Sequence, residues 1–317
     1  MTKEFSLVEA MDEYVVRPRE LYKSRPGLYP SEASVCYELD GRKVTIGKCL
    51  RASWYRLQPD VTGEETGGAG LQMKALIGKW DEMAIIDTIK KMGLFFDNNV
   101  KFFYAPLTMS GELDMVITNP LTGGKILYEI KSYYGHYANT LICGTRPKSY
   151  KTVPNKLGIP GKPKDNQFLQ TSLYAWEYKD QVEETRMLYI ERGDGHRVEF
   201  KVGTVEDNGK NFCYWEQVPG PYWSHFEAGK KIQPYTIEDV HDRYRQLQKY
   251  AVNKDVPPMD FEAVWSSDKI EWAHKNGLVS DSKYNKYLKK KENIGDWQCS
   301  WCQYKKQCEE DFMRYGK

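Results

Sequence analysis

The chain is predicted to be an α/β protein: a mixed sheet flanked by helices, followed by a helical, cysteine-bearing carboxy-terminal region. Three observations predict this. Apolar residues recur at helical spacing over residues 70–93. Runs rich in β-branched and aromatic residues follow at 100–105, 112–118 and 125–132. A further helix, from Asn166 to Lys179, separates these from two more strands. Strands with helices on either side make a layered core.

Taken in order, residues 1–60 mix short helical and extended stretches. The helix over 70–93 stops at Gly93, a residue suited to the end of a helix. The strands at 112–118 and 125–132 are joined by the turn-rich residues 119–124. Residues 141–166 hold four prolines and three glycines, which predicts a long loop. The next two strands turn at Gly193-Asp194-Gly195. A helix over 236–250 leads into a Lys- and Tyr-rich helical stretch. The expected organisation is an amino-terminal segment (1–69), a core (70–205) and a helical region with the clustered cysteines (206–317).

Composition excludes some classes. Hydrophobic residues make up 40% of the 317 and charged residues 28%, which suits an ordered globular chain and not a disordered one. The amino terminus is polar and lacks the build of a secretion signal. No run of about 18 apolar residues occurs, so no membrane span is expected, and the expected location is the cytoplasm (a host cytoplasm if the source is a phage). The net charge of +2 does not by itself announce a nucleic-acid partner, so any such case must rest on local charge.

Local chemistry is concentrated on one hairpin. With 119–124 as the turn, Thr118 faces Lys125, paired numbers sum to 243, and Asp114 falls opposite Glu129. Facing carboxylates repel unless something cationic lies between them. Magnesium or manganese, an oxygen-seeking cation, would remove the conflict. Lys131 leaves the same face as Glu129, two residues on, while Ile130 points the other way and offers its backbone carbonyl. This suits hydrolysis of a phosphodiester, although a hairpin with a charged outer face accounts for the same residues about equally well. Glu82 sits in a helical stripe with Ala75, Gly78, Ile85, Ile86 and Ile89, where a carboxylate needs a cation or a basic partner.

Seven cysteines are present, and three of them, Cys299, Cys302 and Cys308, read Cys-x2-Cys-x5-Cys. Thiols this close in a chain without an oxidising context point to zinc or an iron–sulfur centre. A fourth ligand is not supplied locally.

The series Gly-x-x-x-Glu at 78–82, Gly-Glu-x-Asp at 111–114 and Glu-x-Lys at 129–131 resembles the active-site series of the PD-(D/E)XK nucleases. It continues in Gln170 and Tyr174, which match the Gln-x-x-x-Tyr motif of the RecB-type branch; at that spacing they share a helix face. The resemblance implies a restriction-endonuclease-like sheet and metal-dependent hydrolysis of DNA. It implies Glu82, Asp114, Glu129 and the Ile130 carbonyl around Mg2+ or Mn2+, with Lys131 orienting the water and Gln170 and Tyr174 contacting or ordering the site. Many RecB-type relatives carry His where this chain has Glu82; Glu is similar to phage-type relatives. One upstream cysteine with a terminal Cys-x2-Cys-x5-Cys resembles the [4Fe–4S] staple of AddB-type nucleases and CRISPR spacer-acquisition exonucleases. It implies Cys49 as the fourth ligand beside Cys299, Cys302 and Cys308, with zinc as the alternative metal.

Between Arg146 and Lys164 stand six basic residues and no acid, so Arg146, Lys148, Lys151 and Lys156 are candidate contacts to the DNA backbone. Five lysines between Lys283 and Lys291 alternate with Tyr284 and Tyr287, a pattern that fits either single-strand binding or a solvated helix face. No Gly-x4-Gly-Lys-Ser/Thr occurs, so the chain is expected to act on DNA alone or beside a separate helicase or recombination protein. The rival from another class is a catalytically silent DNA-binding or assembly module of the same fold.

Overall fold

The computed structural model describes residues 27–63, 68–145, 159–219, 229–290 and 292–315. The strands in chain order are β1 (Ser34–Leu39), β2 (Arg42–Gly47), β3 (Phe95–Tyr104), β4 (Met109–Thr118), β5 (Lys125–Tyr133), β6 (Gly144–Thr145), β7 (Ile159–Pro160), β8 (Glu184–Glu191), β9 (Arg197–Asp207), β10 (Lys210–Gln217) and β11 (Lys231–Thr236). The helices are α1 (Leu50–Leu57), α2 (Gly68–Lys91), α3 (His136–Cys143), α4 (Asp165–Tyr178), α5 (Ile237–Asn253), α6 (Ser267–Lys275), α7 (Asp281–Leu288), α8 (Trp297–Ser300) and α9 (Lys305–Tyr315). The chain divides into two compact units. One holds Gly27–Ala33 with the described part of Gly67–Asp242; the other holds the described parts of Ser34–Thr66 and Arg243–Lys317. None of the described helices is long and apolar enough to cross a membrane.

The first unit is a seven-stranded mixed sheet, ordered β11-β10-β9-β8-β5-β4-β3, with helices on both faces. Neighbours are antiparallel except β5 and β8, which run parallel and are joined through α3 and α4. A parallel pair needs such a crossover, because no tight turn can return the chain to the same end. On one face Ile85, Ile86 and Ile89 of α2 pack on Met115, Ile117, Ile126, Tyr128 and Ile130. The opposite face carries Leu127, Glu129 and Lys131 and is covered by α4, whose Phe168, Leu169 and Leu173 are buried.

The predicted register holds where the ladder forms. Thr118 pairs with Lys125 and Met115 with Tyr128, both summing to 243. The turn closes on itself through Asn119 N–H to the Gly124 carbonyl at 2.7 Å and Gly123 N–H to the Asn119 carbonyl at 2.8 Å. α2 ends as expected: the Gly93 and Leu94 N–H groups return to the carbonyls of Lys90 and Ile89.

Two expectations are corrected. The region from 206 is not wholly helical, because β10 and β11 extend the sheet. Cys213, Trp215 and Gln217 alternate as buried residues along β10, a period of two that no helix would give. The Asn208-Gly209 turn between β9 and β10, with both φ positive, is the hairpin signal that marks this pair. The predicted loop from 141 opens instead inside α3, and β6 then pairs with β7. Arg146, Lys148, Lys151 and Lys156 lie outside the described residues.

The second unit joins the β1–β2 hairpin and α1 to α6–α9 and the end of α5. Ser266 and Ser280 cap α6 and α7, each accepting from a backbone N–H in the first turn. Ile270, Ala273, Val279 and Ile294 form a small core with Trp265, Trp272, Tyr284 and Tyr287 against it. Tyr284 also stacks on His274 at 4.0 Å. Both tyrosines are therefore engaged in packing, each with part of its surface still exposed.

Candidate active site and cysteine cavity

Glu129, Lys131, Asp114 and Glu82 converge in the first unit. Glu129 is 1% exposed. Its Oε1 accepts from Lys131 Nζ at 2.5 Å and from Gln170 Nε2 at 2.8 Å. Its Oε2 is buried with no hydrogen-bond partner. A buried carboxylate oxygen left bare costs of order 1–3 kcal/mol, so this is where a cation fits.

Asp114 does not simply face Glu129 across a ladder. The pairing stops at Met115 and Tyr128, and Asp114 Oδ2 instead accepts from the Ile130 N–H at 2.7 Å. That side-chain bond joins β4 to β5 just beyond the last ladder pair. Glu82 comes from α2, on the opposite face, yet its charge acts on Asp114, Glu129 and Lys131 alike. It also pairs with Lys79 at 2.5 Å. The helical stripe holds at Gly78, Ile85, Ile86 and Ile89 but not at Ala75, which is exposed.

Burial, then the charge of Glu129, pushes Asp114 up to about 7. Burial also raises Glu129. Burial opposes the charge on Lys131, but Glu129 and Asp114 outweigh it and hold the ammonium above its ordinary value. The sign for stability follows. Asp114 is raised in the folded state, so its contribution is fully present below the unfolded pKa of about 4 and is lost as pH rises through about 7. Asp114→Asn is therefore expected to stabilise the chelator-treated protein at pH about 8 by on the order of 2 kcal/mol, and to have little effect at pH about 4. Thermal melts of both proteins across that range measure it; parallel pH profiles would remove the raised carboxyl.

Gln170 and Tyr174 order this cluster. Gln170 Nε2 also reaches Tyr174 Oη at 3.3 Å, and Tyr174 donates to the Glu112 carbonyl at 3.2 Å. Gly111 makes room for it, since a Cβ there would stand 3.0 Å from Tyr174 Oη and 3.0 Å from Pro30 Cδ. Burial raises the Tyr174 phenol, which stays protonated and able to donate.

Sequence reasoning missed Arg192. Its guanidinium bonds Asp81 Oδ2 at 2.9 Å and Ser132 Oγ at 2.7 Å. Asp81 precedes Glu82 and Ser132 follows Lys131, so Arg192 braces the helix against the strand beside the acids. A Cβ at Gly78 would come within 3.1 Å of Arg192 Nη2, so the glycine of Gly-x-x-x-Glu is what admits the arginine. Gly78 was the available signal.

In the second unit Cys49, Cys299, Cys302 and Cys308 all line one cavity of about 400 Å³. Cys49 precedes α1, and its carbonyl accepts from Ser53 N–H. Cys299 lies in α8 and Cys308 in α9. Burial, then the neighbouring Cys49 sulfur, pushes the Cys299 thiol up to about 12, and burial raises Cys49 to about 11. Four soft donors around one cavity are a fitting donor set for an iron–sulfur cluster or zinc. Among the described residues, no three His, Cys, Asp or Glu side chains already stand gathered about a single ion position. Cys36, Cys143 and Cys213 do not line the cavity.

No protein-family model matches the chain, and no curated protein matches it. A solved structure titled "Crystal structure of SSO0001" is similar over 87% of this chain and 94% of that one, at 12% identity and a TM-score of 0.32.

Proposed function

We propose that the chain is a metal-dependent deoxyribonuclease of the PD-(D/E)XK kind, using Mg2+ or Mn2+, and an exonuclease in preference to an endonuclease. The observation that carries the reading is the buried Glu129 carboxylate with an unpartnered oxygen, set among Asp114, Glu82 and Lys131. A structural acid would have its lone pairs filled by donors. A divalent cation would supply charge stabilisation for the phosphate and for the attacking oxygen. The chain's own residues do the rest. Lys131 holds Glu129 and presents an ammonium to the phosphate or the attacking water. Gln170 fixes the Glu129 rotamer, and Tyr174 fixes Gln170 against the Glu112 carbonyl. The complete set of acids and lysine supports catalysis over a silent DNA-binding module. The cysteine cavity supports a [4Fe–4S] staple, with zinc as the rival. A separate helicase or recombination protein is the proposed partner.

End-labelled single- and double-stranded DNA in Mg2+ or Mn2+ tests this, with shortening from an end and 5′-phosphate products expected. No cleavage of either substrate in either metal would overturn the reading. Arg192→Leu is expected to raise the metal concentration for half-maximal cleavage about tenfold, as loss of support behind ligands does, with Arg192→Lys recovering part of it. A changed kcat at unaltered metal dependence would remove the brace from this role.

A further inference from the structure

Arg51 is buried beside the cysteines without a carboxylate bound to its guanidinium among the described residues. Its exposure is 0%. Its Nε donates to the Pro257 carbonyl at 2.7 Å, and its Nη1 lies 3.6 Å from Cys308 Sγ. Its Nη2 is buried without a hydrogen-bond partner. Among the described residues Arg51 makes no ion pair with a carboxylate. A guanidinium does not shed its proton. A buried guanidinium calls for a counter-charge, which one carbonyl and one sulfur contact do not supply. Arg51 also lines the cavity that the four cysteines line. A metal–sulfur core held by four thiolates is a net anion, and it is the missing counter-charge.

We propose that Arg51 is the fixed counter-charge of the four-cysteine centre and holds its reduction potential up; this rests on the iron–sulfur reading of the cavity. On reduction one electron enters the centre from the external reductant, and no atom is transferred. The added negative charge is then met by a positive charge already in place, with no proton required. A cation a few ångströms away in a poorly solvated site is worth more than a tenfold change in such an equilibrium. The nearby Asp311, whose Oδ2 accepts from the Tyr55 hydroxyl at 2.7 Å, makes no ion pair with Arg51 among the described residues.

The test uses the full chain purified without oxygen, as wild type, Arg51→Gln and Arg51→Lys. Iron and acid-labile sulfide are assayed, then dithionite titrations with redox mediators are followed by visible absorbance and electron paramagnetic resonance. At the wild-type midpoint, Arg51→Gln is expected to raise the oxidised-to-reduced ratio at least about tenfold, while Arg51→Lys stays within about threefold. Where Arg51→Gln holds too little iron to titrate, the expected result is that Arg51→Lys keeps its iron against a chelator. A loaded Arg51→Gln with an unmoved midpoint overturns the inference, as does Arg51→Lys behaving like Arg51→Gln. Wild type carrying zinc without iron or sulfide overturns the iron–sulfur reading itself, and does so before any variant is compared.

Discussion

Lys131→Ala is expected to slow cleavage of DNA by about 10²–10⁴-fold while leaving DNA binding within about threefold of wild type. Among the described residues the ammonium is the only cation brought to Glu129 Oε1, at 2.5 Å. Its loss has two consequences on the proposed hydrolytic reading. The transition state loses a charge aimed at the phosphate. The acid pair also loses its cationic neighbour, and since Lys131 lowers both Glu129 and Asp114, both carboxyls rise further. The pH profile should therefore move to higher pH as the rate falls, a shift that a simple packing defect does not produce. Single-turnover cleavage at saturating Mn2+ across pH, with circular dichroism as the control for folding, measures both effects. Equal rates for the two proteins would remove Lys131 from the chemistry and leave the hairpin a charged sheet face.

Much of that site is written locally. Asp114, Glu129 and Lys131 follow from a period of two and a six-residue turn, and the register survives from residue 115 to 118. What period cannot show is where a ladder stops. Asp114 sits one step past the last pair, and there its carboxylate accepts from the Ile130 N–H. The helical spacing of Gln170 and Tyr174 was legible, but their partners Glu129 and the Glu112 carbonyl lie 41 and 62 residues away in sequence. Arg192 is the extreme case. It meets Asp81 across 111 residues, and only Gly78 hints at the space it fills. Missing β10 and β11 was a failure of a different sort, since Asn208-Gly209 and the alternation after it were in plain view. Arg51 stands two residues from Cys49, but nothing local says that an arginine is fully buried.

Cys302→Ala is expected to abolish the visible absorbance of anaerobically purified protein and to lower the melting temperature of the cysteine-bearing unit by about 10 °C or more. The size follows from the loop that such a centre would close, added to contacts already joining α1 and α9 such as Tyr55 Oη to Asp311 Oδ2 at 2.7 Å. The small core of Ile270, Ala273, Val279 and Ile294 does not include α1 or α9. α1 follows Cys49 and α9 carries Cys308, so a centre bound by these cysteines would cross-link residues more than 250 positions apart. Closing so long a loop removes unfolded-state entropy in the same sense as a disulfide does, about 5–6 kcal/mol for loops of this order. Cys36→Ala is the matched control: it lies on β1 in the same unit, opposite Thr45, and does not line the cavity. If Cys302→Ala melts with Cys36→Ala and wild type, the cysteines pack as ordinary thiols and the cavity is not a staple. If it loses colour but keeps its melting temperature, the centre is present without supporting the fold, and its use must be sought in electron transfer instead.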